Sequence, residues 1–377
     1  YILNIHEFDL KQKKRLPLTF FNQLWMLLTS LQKSEGVIIQ FAGYQSYLPT
    51  ILAKLFNKKC ILVLGGTDTV SFPSIKYGNF YKKYLRFVTL KSLERADLLV
   101  PVSETLIEYD YTYQNNDFNK QGYLFHAPSI NTPVKTIYNG YNSYKWIVSD
   151  TKEQNSFVTI AADLGSRFGI ELKGIDLILN IAQNFNDCNF YIVGGDKINV
   201  EVPENIILVD NMPHDELPAF ISTKQFYLQL SISEGFPNAL CEGMLSGCTP
   251  IVSNTGAMPY IIGETGYLLK EKDQHQLILI IEKAISNYSD KILRNCIIYN
   301  DDDLNWVGIL KTSSIINQIN KKNFDALVDL NQNNNRIISL ICLEINIPIK
   351  VGFQSPLADD LYTLVVQPAK DGFLEKK

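Results

Sequence analysis

The chain has 377 residues, 46% of them hydrophobic and 20% charged, and its 35 basic against 39 acidic side chains leave a net charge of −4. This composition argues against a disordered chain, a collagen and a coiled coil. The length predicts about two domains, each with its own apolar core. A dedicated nucleic-acid-binding protein carries a strongly basic stripe, which this balance does not favour. We therefore expect a small-molecule ligand and no nucleic acid.

The cysteines and histidines do not form a recognisable metal or disulfide pattern. Six cysteines are scattered without CxxC spacing, and the four histidines are isolated. Reduced thiols in a cytoplasmic protein fit this pattern better than disulfides, and we predict no metal site and no cofactor. The longest apolar runs are far shorter than the roughly 18 residues that span a bilayer. The chain opens at Tyr1 without a secretory signal pattern, and we expect that its true start is missing.

Strand-like and helix-like segments alternate from residue 36 onward, which is typical of an α/β protein with parallel sheets. We predict an N-terminal Rossmann-like domain over residues 1–148, with a later strand of its sheet at 1–8. Its other predicted elements are strands at 37–41, 60–64, 97–102 and 136–138, and helices at 47–56, at 80–95 and from Ser103 onward.

A polar stretch from Ser143 to Ser156 interrupts the alternation, and a second domain is predicted over residues 149–305. Two doubly wound sheets that face each other bind a ligand in the cleft between the carboxyl ends of their strands. The elements predicted in this domain are strands at 157–162, 189–193, 206–209, 225–231 and 250–253, and helices at 174–185 and 238–246.

The end of the chain is predicted in two parts. A helix over residues 306–322 returns toward the first domain, and residues 323–377 form a short βαβ module, with strands at 326–331 and 349–353 around a helix at 337–345. No further strand that would complete its sheet is visible in the pattern. We expect the start of a second module that is cut short.

Two carboxylates eight positions apart form the most informative motif. Glu234 lies in a loop after a predicted strand, and Glu242 lies in the helix that follows. Gly235 and Pro237 favour a tight turn, and Asn238 can cap the helix, whose free amides make an anion site. Such a site can hold a sugar or a phosphate while Glu242 accepts hydrogen bonds from ribose hydroxyls.

Two cations stand upstream of this motif. Arg167 and Lys173 lie six positions apart before a predicted helix, a spacing that can neutralise a pyrophosphate across a loop. Together with Glu234 and Glu242 they resemble the Arg and Lys pair and the Glu-x7-Glu motif of retaining glycosyltransferases of family 4, which have the GT-B fold. The resemblance covers about residues 35–320.

The resemblance implies an α/β protein of two facing Rossmann-like domains that transfers a sugar from a nucleotide-sugar donor, with retention of configuration and without a metal, to a glycan or lipid-linked acceptor. It implies that Arg167 and Lys173 stabilise the leaving diphosphate electrostatically. It also implies that Glu234 lies near the donor sugar and that Glu242 binds the ribose. The other implied donor-binding residues are Gly194, Met212, Gly235, Phe236, Pro237, Asn238, Ala239 and Leu240.

Two segments depart from the family pattern. Gly65 stands where many relatives have a histidine before a Gly-x-Asp element, and Asp68 of that element is either an acceptor-side contact or a turn-capping residue. The segment 323–377 is weakly similar to a fragment of family 9 heptosyltransferases, and no catalytic residue can be assigned there.

Alternatives remain for the helix at 80–95 and for the function. The helix presents aromatic residues and three basic residues, so it either rests on an anionic membrane surface or packs on its own sheet with a solvated basic face. The second function is a non-catalytic nucleotide-sugar or glycan-binding module. A nucleotide-sugar epimerase ranks lower, and an NAD-dependent dehydrogenase is disfavoured because no GxGxxG follows a strand.

Overall fold

The computed structural model describes residues 16–114, 117–149, 151–161, 164–165, 169–195, 198, 200–295, 326–328, 349–353, 364–368 and 374–375. The chain divides into two compact units, residues 1–284 and residues 285–377. The first unit contains two separate parallel sheets, and the second contains a small mixed sheet. Parallel sheets in an α/β arrangement confirm the predicted fold class.

The first sheet has three parallel strands in the order β1-β2-β3. Alternate residues of β2, namely Cys60, Leu62 and Leu64, are buried in one apolar cluster. This alternation places one face of the strand on the core. The elements are α1 (Leu16–Ser30), β1 (Gly36–Gln40), α2 (Tyr44–Leu55), β2 (Lys59–Leu64), α3 (Lys83–Arg95), β3 (Leu98–Pro101), the antiparallel pair β4 (Tyr109–Asp110) and β5 (Lys120–Gln121), and α4 (Tyr123–His126).

The second sheet has six parallel strands in the order β11-β10-β9-β6-β7-β8. Every residue of β9 is buried, as expected for a strand covered on both faces. The elements are β6 (Glu153–Ile160), α5 (Gly169–Leu172), α6 (Ile175–Ile181), β7 (Asn189–Val193), β8 (Ile206–Val209), α7 (Leu217–Ser222), β9 (Lys224–Gln229), α8 (Asn238–Leu245), β10 (Thr249–Ser253), α9 (Met258–Ile262), β11 (Tyr267–Leu269) and α10 (Gln274–Asn295).

The strand order of the second sheet locates its ligand-binding edge. The chain goes from β6 to β7 on one side and returns to β9 on the other, so the order reverses between β6 and β9. In open α/β sheets, ligands bind beside the carboxyl ends of strands at such a reversal. The loop after β6 leads to Lys173, and the loop after β9 carries Glu234.

Several predicted elements are shorter than expected. The segment after Ser103 is only a 3₁₀ turn, Glu104–Leu106. The Ser103 hydroxyl caps its start by accepting the Thr105 amide, and the chain enters β4 at Tyr109. The helix predicted at 80–95 begins at Lys83, since Lys82 is extended. The strand predicted at 136–138 is not one, although the neighbouring backbone bonds to β3, for example through the Lys135 amide and the Leu99 carbonyl at 2.9 Å.

The second unit contains more of a sheet than the sequence pattern predicted. The parallel strands are β12 (Ala326–Val328), β13 (Ile349–Phe353) and β14 (Leu364–Pro368), and β15 (Leu374–Glu375) pairs antiparallel to β14. The expectation that no further strand follows residue 353 was therefore wrong, because the short apolar run of β14 is stabilised by pairing with β13. The strand predicted at 1–8 and the helices predicted at 306–322 and 337–345 lie outside the described residues.

Two sequence expectations concern the whole described part of the chain. None of its helices combines the length and the apolar character needed to cross a membrane. Its cysteines, Cys60, Cys188, Cys241 and Cys248, are free thiols. Burial raises the pKa of Cys248 to about 11, so this thiol is protonated at neutral pH.

Candidate functional site

An ion pair lies at the carboxyl edge of the second sheet. Lys173 Nζ is 2.7 Å from Glu234 Oε1, and the same oxygen accepts hydrogen bonds from Ser231 Oγ at 2.8 Å and Gln229 Nε2 at 3.1 Å. The Glu234 side chain is only 14% exposed. The nearby Glu234 carboxylate raises the pKa of Lys173 above its usual range, against the opposing effect of burial. Lys173 therefore carries a full positive charge at this edge of the sheet.

Backbone packing explains why two residues 61 positions apart meet. Gly174 has φ of +69° and caps α6, and a Cβ at this position would collide with the Leu230 carbonyl oxygen. The Ile232 amide donates to the Leu172 carbonyl at 2.9 Å. A residue with a side chain at position 174 would separate the two loops, so glycine is required for the Lys173–Glu234 contact.

The helix after Glu234 presents the second carboxylate. Glu242 Oε1 is 3.0 Å from His214 Nε2, and the Glu242 side chain is 13% exposed. Asn238 does not cap this helix as predicted; Pro237 occupies the N-cap position. The reason is that Asn238 Oδ1 already accepts hydrogen bonds from Asn139 Nδ2 at 2.8 Å and Tyr141 Oη at 2.7 Å. These contacts connect the two sheets of the first unit.

A cavity of about 570 Å³ lies between the two sheets. Its size suits a ligand such as a nucleotide sugar. Glu242, His214 and Asn238 contribute polar groups from the second sheet's side. The remaining lining residues are Gln40, Phe41, Val63, Gly65, Val102, Asn139, Gly140, Tyr141, Asn142, Lys145, Trp146 and Phe236.

Asp68 is buried and binds backbone amides of two loops. It is 1% exposed, and its oxygens accept three backbone amides: Gly65 at 3.1 Å, Gly66 at 2.9 Å and Ala42 at 2.9 Å. Burial raises the pKa of Asp68, and these amide hydrogen bonds partly offset the shift. Of the two roles left open, the geometry favours turn capping, since Asp68 is buried and is not among the residues that line the cavity.

The two sheets approach each other closely at their glycines. A Cβ at Gly235 would collide with the Gly65 carbonyl oxygen, and one at Gly66 would lie 3.1 Å from the Gly235 nitrogen. Tyr77 contacts the loop that carries Gly66, because its hydroxyl is 2.7 Å from Thr67 Oγ1. Burial, followed by the charge of Glu234, raises the pKa of Tyr77. Tyr77 therefore lies within electrostatic reach of the Lys173–Glu234 pair.

The other predicted donor-binding residues have different surroundings. Gly194 follows β7 with φ of +84°, and a Cβ at this position would lie 2.5 Å from the Ala161 carbonyl oxygen. Met212 and Ala239 pack against an apolar cluster in which Leu240 is fully buried. Any contact of Leu240 with a ligand therefore goes through its backbone. Phe236 packs near the Tyr138 and Tyr141 rings.

The sequence pattern did not single out several residues of this site. Tyr111 Oη donates to the Ile232 carbonyl at 3.1 Å, and Tyr113 Oη donates to the Leu230 carbonyl at 3.4 Å. Both tyrosines are buried and hold the segment before Glu234. Trp146 also lines the cavity. It is the one tryptophan in the polar stretch from Ser143 to Ser156, and an isolated large aromatic residue in such a stretch can indicate a contact with a ligand.

Arg167 lies outside the described residues, so its predicted place beside Lys173 stays a prediction. In the part of the chain that the structure describes, no three His, Cys, Asp or Glu side chains are grouped closely enough to hold a metal ion.

The second sheet and its loops match a known family. Residues 166–302, which include Lys173, Glu234 and Glu242, match the family described as Glycosyl transferases group 1. The chain has the GT-B fold, and this fold together with the family match supports a GT-B glycosyltransferase.

Individual relatives are distant in sequence. Protein CapJ of Staphylococcus aureus is 20% identical over 268 residues, which are 69% of this chain and 65% of CapJ, so the chain spans slightly less than two thirds of that relative. The sucrose-phosphate synthase of Thermosynechococcus elongatus superposes with a TM-score of 0.56 at 15% identity, over 75% of this chain and 72% of that one. Anabaena HepE, solved with UDP and glucose, gives 0.54 at 14% identity over 76% of each chain.

Proposed function

We propose that the chain is a retaining glycosyltransferase of family 4 that moves a sugar from a nucleotide-sugar donor to a glycan or lipid-linked acceptor, in polysaccharide or glycoconjugate biosynthesis. One observation carries the proposal: Glu242 and Phe236 line the cavity, and Phe236 comes two residues after Glu234, which pairs with Lys173. All four residues lie within the segment that matches the Glycosyl transferases group 1 family.

The proposed roles follow from charge and position. Lys173, together with Arg167, stabilises negative charge as it develops on the leaving diphosphate, without a metal ion. Glu234 orients Lys173 and lies near the donor sugar. Glu242 lines the cavity and accepts hydrogen bonds from the ribose hydroxyls, and its Oε1 also lies 3.0 Å from His214 Nε2.

A thermal-shift screen with UDP, GDP and ADP sugars tests donor binding, because a ligand that binds only the folded state raises its stability. HepE is solved with UDP and glucose, which supports trying UDP sugars first. We expect one nucleotide class to raise Tm, and we expect Glu242→Ala to abolish that shift. No shift with any donor would contradict the proposal.

Transfer is tested with the donor that binds. Lys173→Ala, Arg167→Ala and Glu242→Ala are each expected to lower the rate of transfer by at least 100-fold (about 2.7 kcal/mol in the barrier), while the fold is retained. Lys120→Ala is the matched control, because Lys120 also pairs with a glutamate, Glu108 at 2.8 Å, but on the exposed β4–β5 ribbon. Turnover close to wild type in the Lys173 and Glu242 variants would remove the site assignment.

The alternative is a non-catalytic nucleotide-sugar or glycan-binding module. It predicts the same thermal shift with no sugar transferred and no nucleoside diphosphate released. Analysis of the sugar nucleotide after incubation separates both functions from an epimerase, which would return a different sugar on an intact nucleotide.

We also propose a peripheral contact with the cytoplasmic membrane surface through α3. Tyr84 is 78% exposed and Phe87 is 52% exposed on this helix, next to Lys83 and Arg86. Exposed aromatic and basic side chains favour an anionic lipid surface. The helix also packs inward through Thr89, Ser92 and Leu93. The alternative is therefore that α3 packs on its own sheet and that its outer face contacts only water.

The test is sedimentation with phosphatidylglycerol vesicles and with phosphatidylcholine vesicles. We expect binding to the first only, and at least a fivefold loss in the Tyr84→Ser, Phe87→Ser double variant. Tyr144→Ser is the matched control, since Tyr144 is 86% exposed and lies outside α3. Equal sedimentation of the double variant and wild type would support the solvated face.

A further inference from the structure

Phe41 has an unusual backbone conformation at the edge of the cavity. It follows β1 with φ of +65°, a region that bulky residues rarely adopt. Three hydrogen bonds hold this segment: the Phe41 amide to the Val63 carbonyl at 2.9 Å, Gln45 Nε2 to the Phe41 carbonyl at 3.0 Å, and the Ala42 amide to Asp68 at 2.9 Å. The surrounding structure therefore imposes the strain, as is common at functional positions.

The ring of Phe41 occupies space that Gly65 leaves free. A Cβ at position 65 would overlap the Phe41 ring, so no larger residue fits there while the ring keeps its place. Asp68 binds the amides beside both residues and thereby fixes the two loops against each other. Phe41 and Gly65 form one matched pair on the first sheet's side of the cavity.

The ring is nevertheless not buried. Phe41 is 47% exposed and lines the cavity opposite the side that contributes Glu242, His214 and Asn238. Because about half of the Phe41 side chain is exposed, burial of the ring stabilises the strained backbone only in part. Its position in the cavity suggests that a ligand covers it.

We propose that the Phe41 ring is the stacking surface for a pyranose ring of the acceptor. Sugars present axial C–H groups with partial positive charge on one face, and these pack on the negative face of an aromatic ring. The second sheet's side holds the polar groups assigned to the donor, so the sugar on Phe41 is the one that enters from the first sheet's side. This inference rests on the proposed glycosyltransferase function.

Saturation-transfer NMR tests the contact without turnover. Aromatic protons of the whole chain are saturated, and transfer to the ring protons of methyl α- and β-glucosides, galactosides, mannosides and N-acetylglucosaminides is measured in the presence of the nucleoside diphosphate that raises Tm most. We expect transfer to at least one glycoside, a loss of at least fivefold in Phe41→Ala, and retention in Phe41→Trp. Phe21→Ala is the control, because Phe21 is 62% exposed on α1.

Thermal unfolding separates ligand binding from simple packing. If the ring serves a ligand, Phe41→Gly relieves the positive φ and its Tm equals or exceeds that of wild type. A fall in Tm of several degrees in Phe41→Gly, no transfer to any glycoside, or equal transfer in Phe41→Ala and wild type would each overturn the inference. Failure of the proposed function appears elsewhere, as the lack of any nucleotide-dependent rise in Tm.

Discussion

Lys173 Nζ lies 2.7 Å from Glu234 Oε1, and this contact joins the loops that follow two neighbouring strands of the second sheet. Lys173 already pairs with the Glu234 carboxylate, so an anionic ligand that approaches Lys173 must share the lysine's positive charge with Glu234. The pair therefore couples the cation proposed to contact the diphosphate to the carboxylate proposed to contact the sugar.

The stability lost on removal of the Glu234 charge should depend on pH in a defined window. Glu234 raises the pKa of Lys173 above 10.5, so the pair contributes stability that is fully present below pH 10.5 and is lost as pH rises through the raised pKa. Glu234→Gln should cost about 1–2 kcal/mol at pH 8, because the pair is partly exposed. Urea unfolding of both proteins at pH 8 and above pH 11 measures the difference. A difference that stays constant would contradict the coupling.

Gly174→Ala should separate the two loops. The added Cβ meets the backbone of Leu230 and the residue keeps φ of +69°, so we expect a loss of about 3 kcal/mol or more and a displaced Lys173. Gly263→Ala is the control, since Gly263 also has a positive φ, +47°, but nothing lies near its Cβ. It should cost the backbone strain alone, about 1–3 kcal/mol, and less than Gly174→Ala. Equal losses in urea unfolding would mean that strain, not collision, dominates at position 174.

Asp68→Asn should destabilise the first sheet's loops. An amide group places N–H donors opposite backbone amides that need acceptors, which costs about 1–3 kcal/mol. Asp110→Asn serves as the comparison, because the Asp110 side chain is 79% exposed and should change stability by less than about 0.5 kcal/mol. Thermal unfolding of the two variants distinguishes them, and similar Tm values would show that the three Asp68 hydrogen bonds contribute little.

His126 should make the protein sensitive to mild acid. Burial, followed by the charge of Arg86, lowers its pKa from 6.5 to about 4. The unfolded state therefore binds a proton that the folded state does not between pH 6.5 and 4, and stability falls as pH falls through this window. After allowance for partial solvent contact, the loss is about 1–2 kcal/mol. His126→Gln should lose less stability than wild type between pH 7 and pH 4.5 in urea unfolding; parallel losses would assign the effect elsewhere.

The local pattern was sufficient to predict most strands. Apolar runs bounded by turns predicted β1, β2, β7, β8 and β10 close to their observed bounds, because a short run of apolar and β-branched residues between turns is a local signal. The helix expected after Ser103 is only a single 3₁₀ turn, because the chain enters the antiparallel β4–β5 pair at Tyr109. The strand β14 was missed because a short run of apolar residues resembles many other segments.

The α/β class and the charged groups of the candidate site are local properties, because residue type and spacing specify strands, turns and the charges of Lys173, Glu234 and Glu242. Which of these groups meet depends on the packing of segments that are distant in the chain. The close approach at Gly174, the use of Asp68 on three amides and the ring of Phe41 over Gly65 depend on contacts between residues distant in the chain. Spacing along a sequence carries no distance between separate loops, so these relationships have no local signature.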